Sequence, residues 1–182
     1  MNEVLRYLIE AILQLVAVLL IARFLLQACR ADFYNPISQG IIRFTDPLLR
    51  PIRVVLPGYR NFDFAALFAV WITQIVLLVS LATLFGSAMD VYSTLVVSLY
   101  RVMLLFLGIK WLILIVILAS FLIPGNQQPI LMLLRQITEP FLAPARRLLP
   151  PMGGLDFSPM LVLMVFHVIG VIILPQILVS VL

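Results

Sequence analysis

The sequence predicts an all-α membrane protein: four transmembrane helices forming two parallel two-span repeats, each with a Pro-broken helical connection that is interfacial or re-entrant. Three observations predict it. Of 182 residues, 64% are hydrophobic and only 11% charged, against roughly 25% charged in soluble domains. With a mean hydropathy of +1.19, too little polar surface remains to cover a water-facing fold. Four stretches reach the roughly 20 apolar residues that a membrane-crossing helix needs, and the chain is written twice. The same composition excludes disorder, which requires low hydrophobicity and high charge. The net charge of +4 then speaks to orientation in the bilayer and not to nucleic acid.

The spans are expected over residues 4–28, 64–85, 95–123 and 159–182. The first carries Glu10 and Arg23, lacks a basic leader and has no small-residue cleavage pattern before Arg30, so it reads as a mature span and not a signal peptide. Arg30, Arg43, Arg50, Arg53 and Arg60 follow the first span, and Arg135, Arg146 and Arg147 follow the third, whereas the middle loop holds Asp90 and no base. The positive-inside rule therefore puts both long connections in the cytoplasm and both termini outside, N-out and C-out. Cys29 is the single cysteine, which excludes an intrachain disulfide and a cysteine metal site.

The duplication is gapless. Pro36, Pro47, Pro51 and Pro57 recur as Pro129, Pro140, Pro144 and Pro150, each displaced by 93 positions (129 − 36). Thr45 meets Thr138 at that offset, Asp46 meets Glu139, Arg53 meets Arg146, and Asp63-Phe64 meets Asp156-Phe157. The chain divides into repeats over 1–93 and 94–182. Two spans per repeat make both repeats insert the same way round, related by an axis along the membrane normal.

Each connection interleaves apolar residues with arginines. Thr-Asp-Pro (Thr45, Asp46, Pro47) and Thr-Glu-Pro (Thr138, Glu139, Pro140) read as helix starts. Pro51 and Pro144 then disrupt the next turn, giving a pair of short helices per connection. Such helices lie in the interface with arginines toward phosphates, or re-enter as a hairpin packed among the spans. Asp63 and Asp156 stand where a carboxylate favours the start of the next helix; alternatively each pairs with the matched Arg53 or Arg146. Ser158-Pro159 reads as a second cap-then-proline signal.

Inside the bilayer, a charge at a helix centre costs roughly 2.5–3.5 kcal/mol. Arg6, Arg101 and Arg23 can snorkel toward water. Lys110 falls about 18 Å from the inner end of its span, at 1.5 Å per residue. Gln74 and His167, repeat-equivalent at 93 positions (167 − 74), lie at similar depth. The three serve either as helix-to-helix hydrogen-bonding groups or as an ion pathway. Glu10 can pair with Arg6 or Arg101. No nucleophile–base arrangement, phosphate-binding loop or metal spacing is present, so neither catalysis nor a cofactor nor a metal is expected.

The doubled pattern T-[DE]-P-x-L-x-P-x-R, followed by L-P and then D-F, resembles the YggT family of bacterial integral membrane proteins in its tandem-duplicated form, over essentially the whole chain. Gly58-Tyr59-Arg60-Asn61 departs from the family's glycine-rich turn, which Met152-Gly153-Gly154-Leu155 keeps. The resemblance implies a cytoplasmic (inner) membrane protein without assigned enzymatic activity. It also implies links to osmotic tolerance and potassium uptake in bacteria, and to cytochrome b6 haem attachment, nucleoid organisation and division in chloroplasts.

Two functions are therefore weighed. The first is a non-catalytic scaffold or assembly factor linked to osmotic-stress tolerance, cell division or membrane-complex maturation. It contacts anionic lipid headgroups or other membrane or cytoplasmic proteins through Thr45, Asp46, Pro47, Pro51, Arg53, Pro57 and Asp63 and through Thr138, Glu139, Pro140, Pro144, Arg146, Pro150 and Asp156. The second is potassium or proton transport, or its regulation, through Gln74, Lys110 and His167. Homo-oligomers fit either, and direct nucleic-acid binding fits neither.

Overall fold

Apolar side chains on every side of a long helix leave it stable only where lipid or protein surrounds it, and this chain builds four such helices. The computed structural model describes residues 2–86, 90–122, 128–149 and 156–181. In chain order the elements are α1 (Asn2–Ala28), α2 (Pro36–Val55), α3 (Phe64–Phe85), α4 (Val91–Leu107), α5 (Ile109–Leu122), α6 (Pro129–Leu148) and α7 (Ser158–Val168); a π-helical turn (Ile169–Ile173) and α8 (Leu174–Val181) complete the chain. Continuous apolar helices long enough to cross a membrane run over Glu3–Ala28, Phe64–Phe85, Val91–Ala119 and Ser158–Val181. Their outward faces expose Val4, Ile12, Val76, Leu118 and Val179. The chain is a multi-pass membrane protein.

The third and fourth spans are less regular than their hydropathy suggests. The third starts at Val91, earlier than expected, because Asp90 accepts the Ser93 N–H at 3.1 Å and so caps the helix. At Gly108 the helix tightens, its N–H reaching both the Leu104 and Leu105 carbonyls. A Cβ there would sit 2.8 Å from the Leu105 carbonyl oxygen, so only glycine fits. In the fourth span the Leu174 N–H reaches the Ile169 carbonyl, five residues back, just before Pro175, which has no N–H to donate.

The connections correct the expected pattern more strongly. Each is one continuous helix of 20 residues, α2 and α6, and not a pair of short ones. Their bounds are displaced by 93 positions (129 − 36 and 148 − 55). α2 starts where the Asn35 carboxamide oxygen accepts the Ile37 N–H at 3.0 Å and Pro36 takes the first turn, where its missing donor costs nothing. Pro47 and Pro51 lie inside the helix without ending it. Four residues apart, they fall on one face, which is exposed, so the carbonyls they leave without a donor fall on the outer side too. Thr45 and Thr138 are not helix starts: each hydroxyl donates to the carbonyl four residues back, Ile41 at 2.7 Å and Leu134 at 2.9 Å. Ser158 caps nothing either; its own N–H donates to Asp156 at 2.9 Å.

Antiparallel packing of α1 on α3 centres the first half, with α2 lying across both. The first turns of α3 bury Ala65, Ala66 and Ala69, small residues that let α1 approach closely. In the second half α6 packs between α5 and α7. α4 runs along α3, and Phe24 meets Phe106 edge-to-face at 5.5 Å. The turn between α1 and α2 reaches α6: Asn35 donates to the Pro129 carbonyl at 2.7 Å, and the Asp32 N–H to the Gln136 side chain at 2.8 Å.

Gln74 is the polar side chain in this interior with both of its side-chain polar atoms uncompensated. Gln74 is fully buried, and neither its oxygen nor its nitrogen has a hydrogen-bond partner among the described residues. Leaving a buried amide unpaired costs about 1–3 kcal/mol. Gln74→Leu should therefore raise stability by about 1 kcal/mol, read as a higher unfolding midpoint in detergent micelles; a fall of that size would show that the amide is paired.

Candidate functional site

The two connections end in the same ionic device. Arg53 stands in the last turn of α2, two helical turns after Asp46, and reaches past the following turn to Asp63 at the start of α3. Its Nη1 lies 3.3 Å from the Asp46 carboxylate and its Nη2 2.6 Å from Asp63. The other Asp63 oxygen accepts the Ala66 N–H at 3.2 Å, so Asp63 caps α3 and pairs with Arg53 at once; the two readings of this residue both hold. Ten residues before Asp156, Arg146 repeats the arrangement, its Nη1 2.6 Å from Glu139 and its Nε 2.9 Å from Asp156. Each arginine thus pins the end of a connection helix to the start of the next span. Arg146 is held above its ordinary pKa, first by its hydrogen bond to Asp156. Desolvation works to lower Arg53, but the bonds to Asp63 and Asp46 prevail and raise it. Desolvation likewise opposes ionisation of Asp156, yet the bonds from Ser158 and Arg146 keep it below its ordinary value.

The two clamps differ in burial. Asp63 is 1% exposed, while Asp156 and Glu139 are exposed. The first clamp also gains a second cation from inside a span: Arg23 does not snorkel to water but is buried, 4.0 Å from Asp46 and 5.7 Å over the Phe33 ring. Two arginines and two aspartates then balance, which is what makes burial of the group tolerable. Position 116, the counterpart of Arg23 at 93 (116 − 23), is a valine, and the second clamp manages without it.

Several residues expected to meet a partner face inward. Thr45, Thr138 and Asp63 are buried and hold the fold together, as do Arg53 and Arg146 through their pairs. Asp46 is half-buried in the first clamp. Pro47, Pro51, Pro57, Pro140 and Pro144 are exposed; Pro150 lies outside the described residues. The outer faces carry four exposed arginines that form no ion pair among the described residues: Arg43 and Arg50 on α2, Arg135 and Arg147 on α6. Beside them on α2 run exposed Pro47, Leu48, Pro51 and Val55 at helical spacing. Counting charges in the loops gave no way to tell the paired arginines from these free ones; the spacing of seven to an acid and ten to Asp-Phe, present twice, was the available signal.

The intramembrane polar residues do not form one layer of neighbours. Lys110 and His167 line a common groove of about 570 Å³ between α5 and α7, and Lys110 Nζ lies 5.7 Å over the Trp111 ring. Gln74 is not part of that groove and sits in the interior of the first half. Glu10 pairs with Arg6 at 3.1 Å. Among the described residues no group of acids, histidines or cysteines could hold a metal ion.

Against known proteins, the model of the CCB3/YggT family matches the chain twice, over residues 2–85 and 93–177. The chain belongs to the CCB3/YggT family. Pseudomonas aeruginosa PA0392 is 36% identical to it over 177 residues, covering 96% of this chain and 90% of the relative. YggT of Escherichia coli K12 is 33% identical over 167 residues, covering 91% and 87%. Both relatives carry the description "uncharacterized". No solved structure matches the chain.

The clamps give the chain's doubled acid–Pro–Arg–Asp pattern a physical role and rank its two halves. Removing Arg53 strands a buried carboxylate, which costs about 3–5 kcal/mol; the exposed second clamp is worth about 1 kcal/mol or less. Arg53→Ala is therefore expected to lower the unfolding midpoint in micelles severalfold more than Arg146→Ala, and equal losses would show that burial does not set the strength of the pair.

Proposed function

We propose that this protein is a non-catalytic scaffold of the bacterial inner membrane, lying N-out and C-out with both repeats inserted the same way round. Its two clamped helices, α2 and α6, lie along the cytoplasmic interface and gather anionic lipid headgroups. Through them the chain organises partner proteins in osmotic-stress tolerance, division or membrane-complex maturation. The observation that supports this is the division of labour among the arginines: Arg53 and Arg146 are spent within the fold, while Arg43, Arg50, Arg135 and Arg147 stand free beside exposed apolar residues. Such a face lays apolar side chains into the acyl boundary and guanidinium groups against phosphates.

A basic residue near an anionic surface contributes about 1 kcal/mol. The double variant Arg50→Ala, Arg135→Ala is thus expected to lose about tenfold or more in preference for phosphatidylglycerol over phosphatidylcholine, measured by native mass spectrometry from mixed nanodiscs. An unchanged preference would remove the headgroup role.

The shared groove of Lys110 and His167 favours a second reading, regulation or passage of potassium or protons. Purified protein in liposomes should then carry a flux that Lys110→Ala alters. Silence under every imposed gradient would leave the scaffold reading alone.

A further inference from the structure

The two halves of the sequence are equivalent at an offset of 93, but their surroundings are not. In the first half the groove between α1 and α3 is filled. Ala17, Val70, Gln74 and Leu78 are buried there, and Leu67 and Trp71 are half-buried. What closes this side is α4, the first helix of the second repeat: Ser98, fully buried, accepts the Trp71 indole N–H at 2.9 Å, and Val102, Leu105 and Phe106 pack on the core. In the second half the counterparts of those six groove residues are Lys110, Leu163, His167, Val171, Met160 and Met164. All six line the open groove of about 570 Å³, and Met160 and Met164 are 71% and 57% exposed.

The helix equivalent to α4 is α1. The counterparts of Ser98, Val102, Leu105 and Phe106 on it are Leu5, Ile9, Ile12 and Leu13, all apolar, with Leu5 and Ile12 exposed. A second pair of surfaces behaves the same way. Ile137 on α6 is buried where the end of α1 docks, and its carbonyl accepts the Cys29 thiol at 3.5 Å; its counterpart on α2, Phe44, is 74% exposed. The seam between the halves is therefore heterologous. It joins the back of one repeat to the front of the next, and it leaves one back and one front uncovered on each chain.

We infer that the open groove between α5 and α7 receives α1 of a second copy of this chain, so that chains join head to tail through a repetition of their own internal seam. The occupant is specified by the molecule itself, since the filled groove shows which helix covers such a surface and how. Lys110 and His167 are enclosed on assembly as Ala17 and Gln74 are enclosed within the chain, and Phe44 of α2 is covered as Ile137 is. An interface of this kind closes into a ring or extends as a row, according to the rotation between successive chains. The inference rests on the internal seam alone and does not depend on what the arginine faces bind.

Disulfide trapping in native membranes tests it. In a Cys29→Ser background, Leu5→Cys and Met164→Cys together occupy the places of hydrogen-bonded Ser98 and Trp71. Mild oxidation is expected to give a ladder of dimers and larger species, at least tenfold more abundant than from either single variant or from Leu5→Cys paired with Val76→Cys on the exposed face of α3. A chain that stays monomeric although both thiols react with a maleimide overturns the proposal. So does a dimer that forms as readily from Leu5→Cys alone, which would mark a symmetric contact. Native mass spectrometry of the unsubstituted chain in nanodiscs gives a reading that no cysteine can disturb: oligomers support the seam, and a monomer retaining phospholipid overturns it.

Discussion

A carboxylate at the mouth of a buried helix cannot be left alone, and Asp63 is such a carboxylate: 1% exposed, capping α3 through one oxygen and meeting Arg53 at 2.6 Å through the other. Much of the first half depends on that contact. It fixes where α2 ends, because Arg53 reaches Asp63 only if the chain turns back at once through the tight reversal at Arg60, whose φ is +54°. It brings Asp46 to within 4.0 Å of Arg23, and so gives the charged residue inside α1 a counter-ion. It also sets α2 against α1 and α3, so that Thr45 and Leu49 are buried while Pro47, Pro51 and the free arginines face outward. A strong ion pair here is less a source of net stability than a condition on geometry, since the charges must be desolvated to meet.

Much of this architecture was legible in the sequence. Hydropathy placed the span at 64–85 as observed and the others within a few residues, because a run of apolar residues in lipid has only the helix available to satisfy its backbone. Periodicity and duplication located the connections and matched their acids with their arginines. The proline reading failed for a definite reason. A proline is disruptive where its neighbours need its N–H and its ring meets a packed carbonyl. At Pro47 and Pro51 the affected carbonyls face outward, and that depends on which side the rest of the fold covers. Arg23 was misread for a related reason: its partner, Asp46, lies on another helix. Gln74 and His167 share depth and ancestry of position, and nothing in their spacing revealed that one would be enclosed and the other exposed.

The differences between the halves are ordered, not random. The first half encloses Arg23 and Gln74 and buries its clamp acid; the second has Val116 and His167 in those places and an exposed clamp. Enclosure in the first half comes from α4 closing over α1 and α3. Among the described residues no helix closes over α5 and α7 in the same way. On the uncovered side Lys110 stands where the first half has the small Ala17 and His167 where it has Gln74, while Val162, the counterpart of Ala69, is buried and apolar.

A cation and an imidazole facing hydrocarbon would each cost several kcal/mol, and in a monomer this groove would present both toward lipid, with one of them softened by the Trp111 ring. Water drawn into the groove lowers that cost, and so does a protein surface that brings a polar partner within reach. The first requires a path to the headgroup region along α5 and α7, where the lining residues other than Lys110 and His167 are apolar or aromatic. The second asks only for a helix of the kind the chain already uses for the purpose. The asymmetry of burial between Gln74 and His167 is thus the mark of a repeat protein whose second unit presents the surface that its first unit has covered, as stacked repeats do where a neighbouring unit is to dock.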